Sequence, residues 1–272
     1  MENLNVLITG ASGGIGRELA RAFASKNNHV ILVARNEARL EELRAELSAL
    51  GRVVTVIPKD LTEPGAALDV YDTLERQGVQ VHVLVNNAGS GMYGSLEDLS
   101  LERQLRMIQL NLAALTELTH RFAQRMVERR FGRILNVGSI SSFLPTPMMS
   151  VYAATKAYVL SFSEALDAEL RGKGDISVTA LCPGFTDTTF IRELNMGPLE
   201  RLVARIAMQP ADVARCGYEA LRTKKAVAVA GRLNASLLCL CRLLPRAWVR
   251  RCMAAIFREA PVRRSDRSAP GA

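Results

Sequence analysis

LNVLITGASGGIG (residues 4–16) decides how this chain is read. An apolar run that breaks directly into glycines is a strand buried on both faces. A helix is expected from about residue 14 to 26, with Ile15, Leu19, Ala22 and Phe23 along one side. Gly10, Gly14 and Gly16 are placed to turn the chain tightly, to admit a pyrophosphate close to the backbone and to seat the helix on the sheet. Ser12, Gly13 and Ile15 belong to the same phosphate-facing turn, where free N–H groups at a helix start attract an anion. The spacing is Gly-x3-Gly-x-Gly, which differs from the commoner dinucleotide fingerprint.

Outward from this stretch the pattern repeats. HVILVA (29–34), VVTVI (53–57), VHVLVN (81–86), RILNVG (133–138) and ISVTALC (176–182) read as further buried strands. Helical patterns occupy 37–50, 65–77, 101–128 and 152–171. Strands alternating with helices build parallel βαβ units with right-handed crossovers. The expected fold is α/β: a doubly wound, Rossmann-like parallel sheet with helices on both faces, in one domain at 1–235. A less regular substrate loop is expected at 185–210, a basic amphipathic helical extension at 236–260, and a disordered tail at 261–272.

Composition agrees with one large core: 272 residues, 49% apolar and 23% charged. No basic leader precedes the first strand, and no run reaches the roughly 18 apolar residues of a membrane span. The five cysteines include no CxxC pair, so no metal site or disulfide framework is expected, and a reducing cytoplasm is the simplest location. The net charge of +8 is uneven. From Arg222 onward there are 12 Lys/Arg against two acids, Glu259 and Asp266, whereas the first 221 residues carry a net −2. The main body therefore gives no reason to expect nucleic acid.

Two further features speak to chemistry. An NAD-binding chain would usually carry an acid at the end of its second strand, for the ribose hydroxyls. Here Ala34 is followed by Arg35 and Asn36. A guanidinium pairs with a 2′-phosphate that an acid would repel, so NADP(H) is the expected cofactor. YAATK (152–156) then places a phenol and an ammonium four residues apart, on one helix face. A nearby cation, together with the positive nicotinamide of an oxidised cofactor, favours the phenolate, bringing Tyr152 down from the usual value of ~10 toward the range of useful proton transfer.

In TGASGGIG (9–16), Asp60, NNAG (86–89), Asn111, Ser139, YAATK (152–156) and PGFTDT (183–188), taken in that order, the chain resembles the short-chain dehydrogenase/reductases. The resemblance covers roughly residues 4–230. Ser139 precedes Tyr152 by 13 residues, the spacing usual in that family. Gly138 stands where the more frequent double serine has its first member, and Thr155 where serine is commoner.

The resemblance implies roles. Tyr152 exchanges a proton with the substrate oxygen, Ser139 hydrogen-bonds that oxygen, Lys156 holds the nicotinamide ribose and tunes Tyr152, and Asn111 positions a water that relays protons. Asp60 and Leu61 would flank the adenine. Asn86, Asn87, Ala88 and Gly89 would line the cofactor side of the fourth strand. Pro183, Gly184, Thr186 and Thr188 would shape the nicotinamide end. Homo-oligomers, dimers or tetramers, are usual among such proteins.

The substrate expectation rests on apolar side chains. Phe185, Phe190, Ile191, Leu194, Met196, Leu199, Leu202 and Ile206 follow the PGFTDT motif, and Phe143, Leu144, Pro145, Met148 and Met149 lie between Ser139 and Tyr152. With Met92 and Tyr93 they suggest a pocket for a hydrophobic ketone or alcohol, or are core packing. LLCLCRLLPRAWVRRCMAAIF (237–257) adds a basic, tryptophan-bearing helical segment with a second helix starting after Pro245. It suits a membrane surface, the phosphates of an acyl carrier or coenzyme A, or packing on the domain or a partner copy. The expected activity is that of an NADP(H)-dependent carbonyl reductase, with a 3-oxoacyl or hydroxysteroid reductase as the narrower alternative. A non-catalytic dinucleotide sensor and a lipid-surface scaffold are the alternatives from other classes.

Overall fold

The computed structural model describes residues 1–197 and 199–257, so the tail expected at 261–272 and the last residues of the extension lie outside it. Seven parallel strands form one sheet: β1 (Asn5–Thr9), β2 (His29–Ala34), β3 (Val54–Pro58), β4 (Val83–Asn86), β5 (Phe131–Val137), β6 (Asp175–Cys182) and β7 (Val227–Val229). Their order is β3-β2-β1-β4-β5-β6-β7. This is the expected doubly wound arrangement. The order reverses between β1 and β4, and such sheets bind ligands beyond the strand C-termini at that point.

Helices are α1 (Gly14–Ala24), α2 (Glu37–Ala49), α3 (Ala66–Arg76), α4 (Leu101–Ile108), α5 (Leu115–Glu128), α6 (Ser150–Leu170), α7 (Thr189–Glu193), α8 (Leu199–Ile206), α9 (Pro210–Arg222), α10 (Arg232–Leu243) and α11 (Arg246–Ile256). Successive strand residues feed opposite layers, as a pleated strand requires. Val6 and Ile8 of β1 join a core with α1, α2 and α9, while Leu7 joins a second core with α3, α5 and the end of α6. Each such side chain, fully buried, contributes on the order of 1.5–3 kcal/mol.

Four departures from the sequence pattern bear on the site. The helix expected over 101–128 is interrupted by a π-helical stretch at Gln109–Ala114, which carries Asn111. β7 and α9 were not legible as separate elements; β7 has only three residues. The expected domain boundary at 236 falls inside α10, which starts at Arg232 directly after β7. Asn234 of α10 lies against Gly184, where a Cβ would come within 2.5 Å of its amide nitrogen.

Asn86 is also placed differently from expectation. Its side chain does not line a cofactor cleft but is buried in the sheet's second layer. Its Nδ2 donates to Thr119 Oγ1 and to Asn136 Oδ1, both at 2.9 Å, and Asn136 Nδ2 donates to Ser163 Oγ at 2.9 Å. This chain of amides ties β4, β5, α5 and α6 together beneath the site. Asn136→Ala should lower unfolding stability by about 1–3 kcal/mol, because the buried Asn86 amide loses one of its two acceptors and Ser163 Oγ loses its donor. A urea midpoint equal to that of the parent chain would contradict this.

Candidate active site

At the sheet's switch point the ends of β1 and β4 are clasped together. Thr9 Oγ1 accepts from the backbone N–H groups of Asn87 and Ala88, each at 3.0 Å. Asn87 Nδ2 donates to the carbonyls of Thr9 and Gly10 at 3.0 and 3.1 Å. The clasp dictates two glycines. Gly10 has φ +66°, and a Cβ there would lie 2.8 Å from Asn87 Nδ2. A Cβ on Gly16 would overlap the Gly10 carbonyl oxygen. Gly14 faces Thr188, whose Cγ2 would be 2.8 Å from an added Cβ. The first turn of α1 carries no acid, and Gly13 supplies no capping side chain. A backbone cradle at the positive end of a helix, with no room for side chains, fits the pyrophosphate of a dinucleotide. No local pattern marks Thr9 for this role, because its clasp depends on β4 lying beside β1.

Farther along the C-terminal edge, Arg35 is 74% exposed, and its Nη1 lies 3.9 Å from Asp60 Oδ2. Asp60 Oδ1 accepts from the N–H and hydroxyl of Thr62 at 2.9 and 2.8 Å, so this acid holds its own turn. Arg106 of α4 brings a second guanidinium, 3.6 Å from Asp60 Oδ2. No sequence spacing pointed to Arg106; only the docking of α4 brings it here. Leu61 differs from expectation in one respect. Its side chain belongs to the core, leaving its backbone alone to face a ligand.

The PGFTDT turn is largely occupied with itself. Ile140 N–H donates to the Pro183 carbonyl at 2.9 Å, Thr186 Oγ1 to that of Gly184 at 3.0 Å, and Thr188 Oγ1 to that of Thr186 at 3.2 Å. Thr186 is buried, whereas Thr188 borders the glycine turn.

The four polar residues expected to act together are brought together. Ser139 caps the 3-10 turn at Ile140–Ser142, its Oγ accepting from Ser141 N–H at 3.1 Å, and it also hydrogen-bonds the Tyr152 side chain. Gly138 beside it leaves room for Cys182 Sγ and Ser142 Oγ, each 3.2 Å from where a Cβ would be. Lys156 is buried on α6 one turn beyond Tyr152, and its Nζ donates to the Val137 carbonyl at 2.8 Å. Asn111 is held by the main chain of Ser90, accepting from its N–H and donating to its carbonyl, both at 3.0 Å. Its Nδ2 also donates to Thr155 Oγ1 at 3.0 Å, and Thr155 donates onward to the Tyr152 carbonyl at 2.7 Å. Gly89 lies between, its absent Cβ leaving space 3.3 Å from Asn111 Oδ1 and 3.4 Å from Lys156 Nζ.

The electrostatics differ from the sequence expectation. Tyr152 is pushed up to about 12, chiefly by burial, with the Ser139 hydrogen bond pulling the other way. Burial likewise brings Lys156 down to about 8. The ammonium does not acidify the phenol in this arrangement. Nζ lies 5.8 Å from the Tyr152 ring centroid and is aimed at a backbone carbonyl, so desolvation dominates. Tyr152 is therefore a protonated donor throughout the neutral range.

An apolar cluster surrounds it: Met107, Met149, Leu194, Met196 and Val203, with Phe185, Phe190, Ile191, Leu199 and Met148 packed alongside. Phe190 covers the phenol at 5.9 Å between ring centroids, and Gly91 makes room for it. Three sequence expectations move. Leu202 and Ile206 are exposed. Phe143, Leu144 and Pro145 face α10 and α11 across a cleft rather than this cluster. Conversely, Met253 and Phe257 of the C-terminal segment join the cluster, which no local pattern announced.

Thr155→Val should keep the fold but take from the Asn111 amide one of its two acceptors, leaving only the Ser90 carbonyl. We expect turnover to fall about tenfold, with dinucleotide affinity retained and Thr155→Ser restoring the rate. Full activity of the valine variant in steady-state assays would contradict the role given to that hydroxyl.

Comparison with known proteins agrees with this geometry. Residues 4–198 match the profile of the short chain dehydrogenase family. The chain is 38% identical over 187 residues to sulfoacetaldehyde reductase 2 of Chromohalobacter salexigens, covering 68% of this chain and 73% of that one. It is 29% identical to the probable oxidoreductase EphD of Mycobacterium tuberculosis across 89% of its own length, but spans only 43% of that protein. A short-chain dehydrogenase from Sphingobium yanoikuyae, solved in complex with NADPH, superposes with a TM-score of 0.77 at 32% identity, covering 90% of this chain and 97% of that chain. The chain belongs to the short-chain dehydrogenase family.

Proposed function

We propose that the chain is an NADP(H)-dependent oxidoreductase acting on the carbonyl or secondary alcohol of a hydrophobic substrate. The observation that carries this is the placement of Tyr152: hydrogen-bonded to Ser139, one turn from Lys156, and enclosed by the apolar cluster under Phe190. When bound, the nicotinamide supplies or accepts the hydride. The Tyr152 phenol, protonated at neutral pH, gives its proton to the substrate oxygen as negative charge develops there. The Ser139 hydroxyl hydrogen-bonds the same oxygen and stabilises that charge. Lys156 would hold the nicotinamide ribose, and Asn111 behind it would position a water that relays protons onward.

NADP(H) is favoured over NAD(H) by exposed Arg35, by Arg106 nearby, and by the NADPH complex of the Sphingobium protein. The greasy lining favours a 3-oxoacyl, steroid-like or aromatic ketone over a polyol. A small anionic aldehyde, as named for the Chromohalobacter relative, is the competing substrate class. A sensor or scaffold would not need a buried lysine and phenol at the sheet's ligand-binding edge. Association into dimers or tetramers belongs to the same reading and is supported by exposed Leu101 and Leu105 on α4.

Two measurements test it. Arg35→Asp should weaken NADPH binding by about 10–100-fold while leaving NADH binding little changed; an unaltered cofactor preference would remove Arg35 from the account. In an NADPH-oxidation assay over ketones of increasing chain length, kcat/KM should rise with apolar size. Highest activity on sulfoacetaldehyde would overturn the hydrophobic assignment.

A further inference from the structure

The helical hairpin α10–α11 presents a surface that the reductase chemistry does not use. Leu233, Leu237 and Leu240 recur at intervals of four and three residues, which puts them in one stripe along α10, and Leu244 follows directly after its end. The stripe points outward: Leu233 is 79% exposed, while Leu238, on the opposite side, is buried. Leu243 is 81% exposed beside the stripe, and on α11 Trp248 is 62% exposed. α11 buries only Val249, while half-buried Met253 and, just past the helix end, Phe257 pack toward the cluster around Tyr152.

The charges are one-sided. Residues 232–257 hold five arginines, Arg232, Arg242, Arg246, Arg250 and Arg251, and no acid. None of the five has a carboxylate partner among the described residues. Arg242 instead lies over the Phe143 ring at 5.2 Å from its centroid. Leu244 also lines a cleft of about 180 Å³ between the hairpin and the loop that follows Ser139, together with Arg242, Arg246, Phe143 and Leu144. The leucine surface thus runs without a break into a basic, apolar cleft beside the catalytic loop.

We propose that this hairpin seats the protein on an anionic lipid bilayer, with the α10 leucines and Trp248 among the acyl chains and the arginines at the headgroup phosphates. Charge selects this occupant. A second copy docked face to face would set five arginines against five, whereas a phosphate-bearing surface neutralises them. Seating is in the plane of the membrane. Among the described residues no helix is long and apolar enough to cross a bilayer, and twelve residues of α10 span about 18 Å. Met253 and Phe257 pack into the cluster around Tyr152, so the seated hairpin would bring that cluster next to the lipid surface, from which a hydrophobic substrate could be delivered. This delivery step rests on the reductase reading; the docking does not.

The test uses the full chain and vesicles of phosphatidylcholine with or without phosphatidylglycerol. Flotation with the anionic vesicles alone is expected. Leu237→Gln/Leu240→Gln should abolish it, and Arg250→Gln/Arg251→Gln should weaken it by roughly fivefold per arginine removed. Both variants should keep the parent's activity on a water-soluble ketone, which separates a failed docking proposal from a failed reductase assignment. No flotation of the parent chain would overturn the proposal. So would flotation insensitive to the leucine pair, which would mark plain electrostatic adsorption. Loss of a dimer in the leucine variant, seen by light scattering with no vesicle binding in the parent, would assign the face to a second copy instead.

Discussion

An ammonium taken out of water must be held by fixed dipoles, and Lys156 is held by one: the Val137 carbonyl at the end of β5, 2.8 Å away. Burial alone brings its pKa down to about 8. A chain that selects only for stability would put leucine at this position, since an uncompensated buried charge is among the costliest substitutions a core can contain. The surrounding structure is arranged to tolerate it. Gly89 withholds a side chain from the space beside Nζ, and the π-helical break turns the buried Asn111 amide toward that space. Thr155, one residue earlier, locks Asn111 to the carbonyl of Tyr152. The amide chain Asn86–Asn136–Ser163 fixes the strands and α6 from below.

The same desolvation sets the direction of the proposed chemistry. A phenol pushed up to about 12 keeps its proton near neutrality and is suited to giving it to a carbonyl oxygen. Acting in reverse, on an alcohol, Tyr152 must first lose that proton, so oxidation should be favoured by alkaline conditions. Ser139 is the one partner that pulls the phenol downward, and it does so while capping the turn after β5. A hydroxyl that terminates local structure and also points at the reacting centre needs no separate positioning device.

Much of the architecture was legible because it rests on local signals. Buried strands such as HVILVA declare themselves by continuous β-branched and aliphatic residues, and the glycine turn declares the first crossover. Ser139, Tyr152 and Lys156 could be named together because one loop and one helix set their separation. The misjudged positions depend on contacts between segments far apart in sequence. Asn86 and Asn87 are adjacent amides on one strand end, and only the pleat sends the first into the core and the second to the Gly10 turn. Gly184 makes room for Asn234 of α10 as well as bordering the site. The basic C-terminal segment looked like an appendage, yet Phe257 returns to pack beside Tyr152, an event that no hydrophobic period within the segment encodes.

The central claim is that Tyr152 transfers a proton while the rest of the site holds the dinucleotide. Tyr152→Phe removes one oxygen from a packed ring and leaves the glycine cradle, Arg35 and Lys156 in place. NADPH affinity, measured by nucleotide fluorescence, should stay within about twofold of the parent, while turnover on the best ketone falls by at least about a hundredfold. Turnover close to the parent rate, with NADPH still bound, would contradict the account.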